Sequence, residues 1–161
     1  MKGSLAYCSV VGFLVLSCCL AGAGAACCPM DWLPYRGYCY RLFNNKLSWP
    51  EAELACQFEA SGGHLASIHG DAESSELAKY ILKYRSDDGN VWIGMRDYSK
   101  NGVWTWTDRT SAGYKPWNTG EPNNLQNDEA CVELWSLSGY RRWNDENCKS
   151  ERAYLCKYLL Q

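Results

Sequence analysis

The chain has 161 residues, enough for one domain of ordinary size. Its 16 Lys and Arg residues are mixed along the chain with 18 Asp and Glu residues, and the formal net charge is −2. Because no basic stripe is present, the composition argues against nucleic acid as a partner.

Residues 1–25 have the pattern of a secretory signal peptide. Lys2 gives a positive start, an apolar run covers 10–20, and small residues fill 21–26. A membrane anchor is the alternative, but the apolar run is shorter than the roughly 18 residues that a spanning helix needs. We therefore predict cleavage after Ala25 or Ala26, which leaves a secreted, extracellular domain over 26–161 without membrane insertion.

The cysteine count predicts a disulfide framework in the secreted chain. Of the 10 cysteines, Cys8, Cys18 and Cys19 lie in the predicted signal peptide. The others are Cys27, Cys28, Cys39, Cys56, Cys131, Cys148 and Cys156. Their number is odd, and the pairing cannot be derived from one sequence. One member of the adjacent pair at 27 and 28 is expected to bond inside the domain, and the other is a candidate for an intermolecular bond.

The first half of the mature chain predicts a strand pair and two helices. Residues 29–43 indicate a hairpin, and Ser48 with Glu51 forms the capping-box pattern of a helix start. A short strand over 64–68 and a second helix over 71–84 follow. The expected inward residues of the two helices, taken from their spacing, are Ala52, Ala55, Cys56, Phe58, Leu77, Tyr80, Ile81 and Tyr84.

Strand patterns replace the helical period after residue 90. Segments 91–95 and 103–107 are predicted strands, with Asn101-Gly102 as a hairpin signal between them. A long polar loop over 108–128 follows, and such a loop in a compact domain is usually functional. Closing strands are predicted at 131–135 and 153–156. Two helices followed by antiparallel strands predict an α+β fold stabilised by disulfides.

The polar loop and the segment after it hold the most informative pattern. Glu121-Pro122-Asn123, Glu129 and Trp143-Asn144-Asp145 supply three carboxylates and two carboxamides. An all-oxygen set suits a hard cation, above all Ca²⁺, which takes about 6–8 oxygen ligands. It suits Zn²⁺ poorly, since zinc favours nitrogen and sulfur ligands. The alternative is a polar loop without a metal.

Taken together, these residues resemble the C-type lectin domain family. The short secreted form looks most like the reptile venom-type lectins of the mannose-binding Glu-Pro-Asn type, and eggshell-matrix and pancreatic regenerating proteins share the plan. The pieces that carry the resemblance are Cys28-Pro29 with Trp32, Cys39-Tyr40, Trp92-Ile93-Gly94-Met95, Trp104-Thr105-Trp106, Glu121-Pro122-Asn123, Cys131-Val132-Glu133, Trp143-Asn144-Asp145, and Cys148 with Cys156.

The resemblance implies a C-type lectin-like fold with a long calcium-binding loop. It implies the disulfides Cys28–Cys39, Cys56–Cys156 and Cys131–Cys148, with a possible interchain disulfide at Cys27. A homodimer or higher oligomer is therefore a possible state.

The resemblance also assigns the site. It implies that one calcium ion and the sugar are bound by the same five residues, namely Glu121, Asn123, Glu129, Asn144 and Asp145. Pro122 matches the family's cis-proline. The family's auxiliary calcium site looks lost: Asp97 matches one of its ligands, but Asn124 and Ala130 stand where acids are expected, as does Lys100-Asn101.

The order Glu-Pro-Asn resembles the family members that favour equatorial vicinal hydroxyls, as in mannose, N-acetylglucosamine (GlcNAc) and fucose. A Gln-Pro-Asp order would resemble the galactose type. We predict a secreted, calcium-dependent carbohydrate-binding lectin. The alternative is a lectin-like structural or interaction protein, such as a mineral-matrix component or a protein-binding modulator. No Ser-His-Asp spacing indicates an enzyme.

The remaining candidates are predicted to have structural roles. His64 and His69 are interpreted as a strand residue and a surface residue rather than metal ligands. Trp135 could stack on a sugar, but a core position is favoured. Tyr140, Arg141 and Arg142 could contact an extended glycan, but a solvated turn is favoured.

Overall fold

Two helices and eight strands build the part of the chain that the computed structural model describes, residues 27–160. The predicted signal peptide lies outside the described residues. The helices are α1 (Trp49–Glu59) and α2 (Asp71–Tyr84). The strands are β1 (Leu33–Tyr35), β2 (Tyr38–Leu47), β3 (His64–Leu65), β4 (Val91–Arg96), β5 (Thr105–Trp106), β6 (Cys131–Leu134), β7 (Trp143–Glu146) and β8 (Arg152–Leu159).

The strands form one sheet in the order β1-β2-β8-β4-β6-β7, with β3 paired to β8 and β5 paired to β4. Its pairs are antiparallel except for β4 with β8, which run parallel. The predicted α+β class is confirmed, while the expectation of antiparallel strands holds for every pair but that one. Neither helix in the described range has the length and apolar character needed to cross a bilayer.

Helix α1 begins as the capping-box pattern predicts. The Ser48 backbone N–H donates to Glu51 Oε2 at 3.1 Å, which fixes the first turn. Ala52 and Cys56 are buried. The inward position expected for Phe58 is wrong, because this residue is 89% exposed on the solvent face of the helix.

Helix α2 has the predicted bounds. Leu77 and Ile81 are buried in the core and Tyr80 packs partly against it. The expectation for Tyr84 is wrong: it is 52% exposed and is the last residue of the helix.

Two predicted strands are shorter than expected. The 64–68 strand is reduced to β3, and the 103–107 strand is reduced to β5, with Val103 exposed. Met95 pairs with Trp106, so the connection between β4 and β5 spans 97–104 rather than a two-residue turn. Asp97 organises that connection, because its side chain accepts the backbone N–H of Gly102 at 2.6 Å.

The three predicted disulfides are confirmed, namely Cys28–Cys39, Cys56–Cys156 and Cys131–Cys148. The second joins α1 to β8, and the third joins β6 to the segment after β7. The sheet face that carries Trp143 packs into the main core, where Trp106 and Tyr114 meet its ring edge-on at 5.5 and 5.7 Å. Tyr114 is part of the long polar loop, so these ring contacts join the loop to the core.

Candidate functional site

The long loop is fastened to the start of strand β7. The backbone N–H of Trp143 donates to Pro116 O at 3.1 Å, and Asn118 N–H donates to Trp143 O at 2.9 Å. The Trp117 ring also meets the Trp143 ring edge-on at 5.9 Å. Because Trp143 is fully buried, these contacts hold the loop against the two residues that follow it, Asn144 and Asp145.

The turn at Glu121 lies against strand β7. The Glu121–Pro122 peptide bond is cis, as the resemblance implied. The buried Asp145 carboxylate accepts the backbone N–H of Asn123 through Oδ1 at 3.0 Å and that of Asn124 through Oδ2 at 2.8 Å. Two charge-assisted hydrogen bonds therefore fix the turn to the strand.

The Glu121 carboxylate faces Asp145 across this turn. Its Oε2 is buried and has no hydrogen-bond partner within residues 27–160. Burial raises the pKa of Glu121, and the neighbouring Asp145 carboxylate raises it further. A buried oxygen without a partner, next to a second acid, is what a cation would satisfy.

Glu129 returns to the same region through a tight turn. Asn124, Gln126 and Asn127 all have positive φ, between 46° and 57°. Glu129 Oε2 accepts the Leu125 N–H at 2.8 Å. Burial raises the pKa of Glu129, and the charges of Asp145, Glu146 and Glu121 add to the effect. Three of the five predicted ligands therefore lie close enough for their charges to interact.

The fourth and fifth predicted ligands, Asn123 and Asn144, differ in their surroundings. Asn123 is exposed and follows Pro122 in the turn. Asn144 is half-buried, and its Nδ2 donates to Glu133 Oε1 at 3.0 Å.

Glu133 is a residue near the candidate site that the sequence did not identify. It is fully buried in β6, the strand next to β7. An acidic residue within an otherwise apolar strand is the sequence feature that could have identified it.

The five predicted ligands have the chemistry that a hard cation requires, although several of their oxygens are engaged in hydrogen bonds with the backbone. Within residues 27–160 no three His, Cys, Asp or Glu side chains form a group that could hold a metal. Both oxygens of Asp145 and one of Glu129 accept backbone N–H groups. The predicted set consists of oxygen donors alone, includes two amides, and contains the unpartnered Glu121 oxygen, so these residues fit Ca²⁺.

Comparison with known proteins identifies the family. The lectin C-type domain model matches residues 45–158. This chain belongs to the C-type lectin family. Members of this family are carbohydrate-binding proteins without enzymatic activity, as the sequence predicted.

Several snake proteins are similar to this C-type lectin over most of its length. A C-type lectin of Thrasops jacksonii is 50% identical over 149 residues, which cover 92% of this chain and 94% of the relative. A "C-type lectin mannose-binding isoform" of Oxyuranus scutellatus is 48% identical, covering 91% and 93%. A "C-type lectin galactose-binding isoform" of Pseudechis australis is 42% identical, with the same coverage.

Solved structures share the fold of the lectin domain. Human lithostathine superposes with a TM-score of 0.80 at 34% identity, covering 87% of this chain and 99% of that chain. A calcium-independent type II antifreeze protein superposes with a TM-score of 0.71 at 30% identity, covering 86% and 98%. The same fold therefore occurs in a protein that is described as independent of calcium.

Lys100, at a position where the auxiliary pattern has an acid, contacts the 124–130 segment instead. Lys100 Nζ lies 3.0 Å from Asp128 Oδ1 and 3.5 Å from Asn127 O. Ala130 is buried and provides no side-chain oxygen. Asp97 directs its carboxylate to backbone N–H groups of its own loop. A lysine ammonium thus bridges the two segments that carry the auxiliary pattern.

The structure also places the remaining residues singled out in the sequence, and it corrects the prediction for Tyr140. Tyr140 is buried in the core, 3% exposed, so its assignment to a solvated turn is wrong. His64 Nδ1 lies 2.6 Å from Glu53. Trp135 is half-buried. Arg141 pairs with Asp71 at 2.5 Å, which ties the segment before β7 to helix α2.

Proposed function

We propose that this lectin is secreted and binds sugars of the mannose, GlcNAc and fucose type through one calcium ion. The observation that carries the proposal is the contact of the Glu121–Asn123 turn with Asp145, which brings an unpartnered Glu121 oxygen to a second carboxylate. The three disulfides agree with an extracellular location.

The calcium site would be formed by Glu121, Asn123, Glu129, Asn144 and Asp145. Its three carboxylates carry three negative charges, and a bound calcium ion would supply two positive charges and open positions for neutral hydroxyl oxygens. Only one ion is proposed, because Lys100 already supplies a positive charge to Asp128 where the auxiliary pattern lies.

Sugar recognition follows from the donors and acceptors around that ion. A carboxylate can only accept, and an amide N–H can donate, so each vicinal hydroxyl can give its proton to an acid and receive one from an amide. Glu121 with Asn123 would serve one hydroxyl, and Glu129 with Asn144 the other. A sugar with a different hydroxyl arrangement leaves polar groups unpaired, which costs about 1–3 kcal/mol for each group.

The sugar type rests on the order of residues in the turn. Glu121 precedes Pro122 and Asn123 follows it. The relatives include proteins named as mannose-binding and as galactose-binding, so family membership alone does not select the sugar. The Glu-Pro-Asn order is what favours the mannose type for this chain.

A single exposed site with few contacts is expected to bind a monosaccharide weakly. Several linked sites would raise the apparent affinity. Linkage through Cys27 stays a prediction, and gels run with and without reductant test it: a species of double mass that disappears on reduction supports it, and a single mass in both lanes contradicts it.

A glycan array with three conditions tests the proposed function. The protein is applied with calcium, with EDTA, and with calcium restored after EDTA. We expect signals on mannose, GlcNAc or fucose glycans that vanish with EDTA and return with calcium. The matched control is Asp128→Asn, which changes an acid of the same loop outside the proposed ligand set and should keep the pattern.

The second candidate is a structural or interaction protein on the lectin fold. It is favoured by the similarity to a solved antifreeze protein described as calcium-independent. Silence on every glycan in the presence of calcium, from protein that is folded by circular dichroism, would support this candidate and contradict the lectin.

A further inference from the structure

We propose that Glu133 is a positioning residue that sets the orientation of the Asn144 amide, turning Oδ1 toward the cation and leaving one N–H for a sugar hydroxyl. The inference rests on the proposed function and adds a residue outside the five predicted ligands. Glu133 is not expected to touch either the cation or the sugar.

Strand pairing brings the two side chains together. Glu133 on β6 and Asn144 on β7 are directly opposite partners in the antiparallel register. Opposite side chains on one face of such a pair lie close enough to interact. The contact between Asn144 Nδ2 and Glu133 Oε1 at 3.0 Å is therefore built into the sheet.

The chemistry of this contact allows only one orientation of the amide. Both Glu133 oxygens accept from other donors, Oε1 from Asn90 and Oε2 from Arg152, so the carboxyl group acts as an acceptor and the Asn144 atom that faces it is the nitrogen. The Oδ1 atom of Asn144 is then directed away from Glu133. Since the amide nitrogen carries two hydrogens, one remains available after Glu133 has accepted the other.

Other groups hold Glu133 in place. Asn90 Nδ2 donates to the same oxygen at 2.5 Å, and Arg152 Nε donates to Oε2 at 2.8 Å. Arg152 also reaches Glu146 at 2.8 Å. Glu133 is fully buried and both of its carboxylate oxygens accept hydrogen bonds. These contacts fix the orientation of the carboxylate. Fixed supporting groups of this kind orient metal ligands in many proteins.

A Glu133→Gln variant removes the constraint at almost constant volume. The oxygen of the new amide stays with Arg152, because the charge-assisted hydrogen bond from Arg152 is stronger than a neutral one, so the new N–H₂ faces Asn144. Asn144 Oδ1 then turns toward this N–H₂ and away from the cation. We expect calcium affinity to fall about 10- to 100-fold, the range seen when supporting residues of metal sites are changed.

A double variant separates positioning from general stability. In Glu133→Gln combined with Asn144→Asp, the glutamine N–H can bind one oxygen of the new carboxylate and leave the other for the cation. No amide N–H then remains for the sugar. We expect calcium affinity to recover relative to Glu133→Gln while sugar binding stays lost. Asn144→Asp alone should bind calcium less tightly than the double variant, because its carboxylate faces Glu133.

The matched control is Glu53→Gln. Glu53 is also a buried acid, and its Oε2 accepts the Leu65 N–H at 2.9 Å, but it lies on helix α1 away from the loop. This variant should lower the melting temperature without changing calcium or sugar affinity. Calcium affinity is measured by isothermal titration, and sugar affinity by titration with methyl mannoside in saturating calcium.

The outcomes are distinguishable. Calcium and sugar affinities of Glu133→Gln equal to those of the unaltered protein would overturn the role of Glu133. A loss of calcium affinity that the double variant does not recover would also overturn it, because the loss would then reflect general disruption. If the unaltered protein binds no calcium at all, the proposed function fails, and the role of Glu133 fails with it.

Discussion

The Asp145 carboxylate and the Asn123 backbone N–H lie 3.0 Å apart, which joins strand β7 to the turn after Pro122. The other Asp145 oxygen accepts the next N–H along the turn, that of Asn124. One buried side chain thus fixes the backbone that presents Glu121 and Asn123. Asp145 has a structural function in addition to its proposed function as a ligand.

Replacing Asp145 by asparagine should destabilise the loop. Only one oxygen would remain to accept, and the new amide N–H₂ would face a backbone N–H. We expect a loss of about 1–3 kcal/mol in the free energy of unfolding, the cost of leaving a buried donor without a partner. Urea denaturation measures it. The control is Asp128→Asn on the exposed part of the loop, where the ion pair with Lys100 is open to solvent and should contribute little. Equal stability of the two variants would contradict the role of Asp145.

Calcium should stabilise the protein most at neutral pH. Burial and neighbouring acids raise the pKa values of Glu121 and Glu129 above their ordinary value of 4.5. A carboxyl group with a raised folded-state pKa stabilises the fold below its unfolded pKa, and this contribution is lost as the pH rises through the folded pKa. Without calcium, these two groups therefore favour the fold in acid and lose that contribution toward neutral pH.

The calcium-induced rise in melting temperature measures this effect as a function of pH. We expect the largest rise near pH 7 and almost none near pH 4, where protons compete for the same oxygens. The control is a Glu121→Gln, Glu129→Gln variant, whose response should be small at every pH. A calcium effect that does not change between pH 7 and pH 4 would contradict the assignment.

The sugar preference should follow the order of residues around Pro122. Glu121→Gln combined with Asn123→Asp keeps one carboxylate and one amide but exchanges the positions that accept and donate. We expect calcium affinity to remain and the preference to move from mannose toward galactose, measured by competition with the two monosaccharides. An unchanged mannose preference in a variant that still binds calcium would refute the donor–acceptor argument.

Gly94 should be essential for packing at the centre of the sheet. A Cβ at this position would lie 2.3 Å from the backbone oxygen of Leu65, which cannot move without shifting strand β3. We expect Gly94→Ala to cost about 1–3 kcal/mol of stability, the range typical of overpacked cores. The control is Gly113→Ala in the long loop, where a Cβ meets nothing within 4 Å. Similar unfolding midpoints for both variants would contradict this account.

The sequence predicted the elements that carry strong local signals. Helix α2 has the bounds that its periodicity indicated, and Ser48 with Glu51 marks the start of α1. Phe58 and Tyr84 were assigned wrongly to the core, because spacing identifies a helical face but not how far the packing partner extends along the helix. Tyr140 was assigned to a solvated turn because its burial depends on packing against distant elements.

The sequence supplies the candidate residues of the proposed site but not their arrangement. Strand β7 was not predicted, since Asn144 and Asp145 were interpreted only as ligands and have weak strand propensity. Its pairing with β6 is what places Asn144 opposite Glu133. That contact joins residues from two strands with a polar segment between them, and no local pattern in the sequence indicates it.

Titration of methyl mannoside into the protein is the most direct test of the central claim. The same preparation is titrated in saturating calcium and in EDTA, with Glu129→Gln as the ligand variant and Asp128→Asn as the control. We predict saturable binding of mannoside only with calcium, lost in Glu129→Gln and retained in Asp128→Asn. Equal binding with calcium and with EDTA, or no binding of mannoside, fucose or GlcNAc in calcium, would contradict a calcium-dependent lectin of the mannose type.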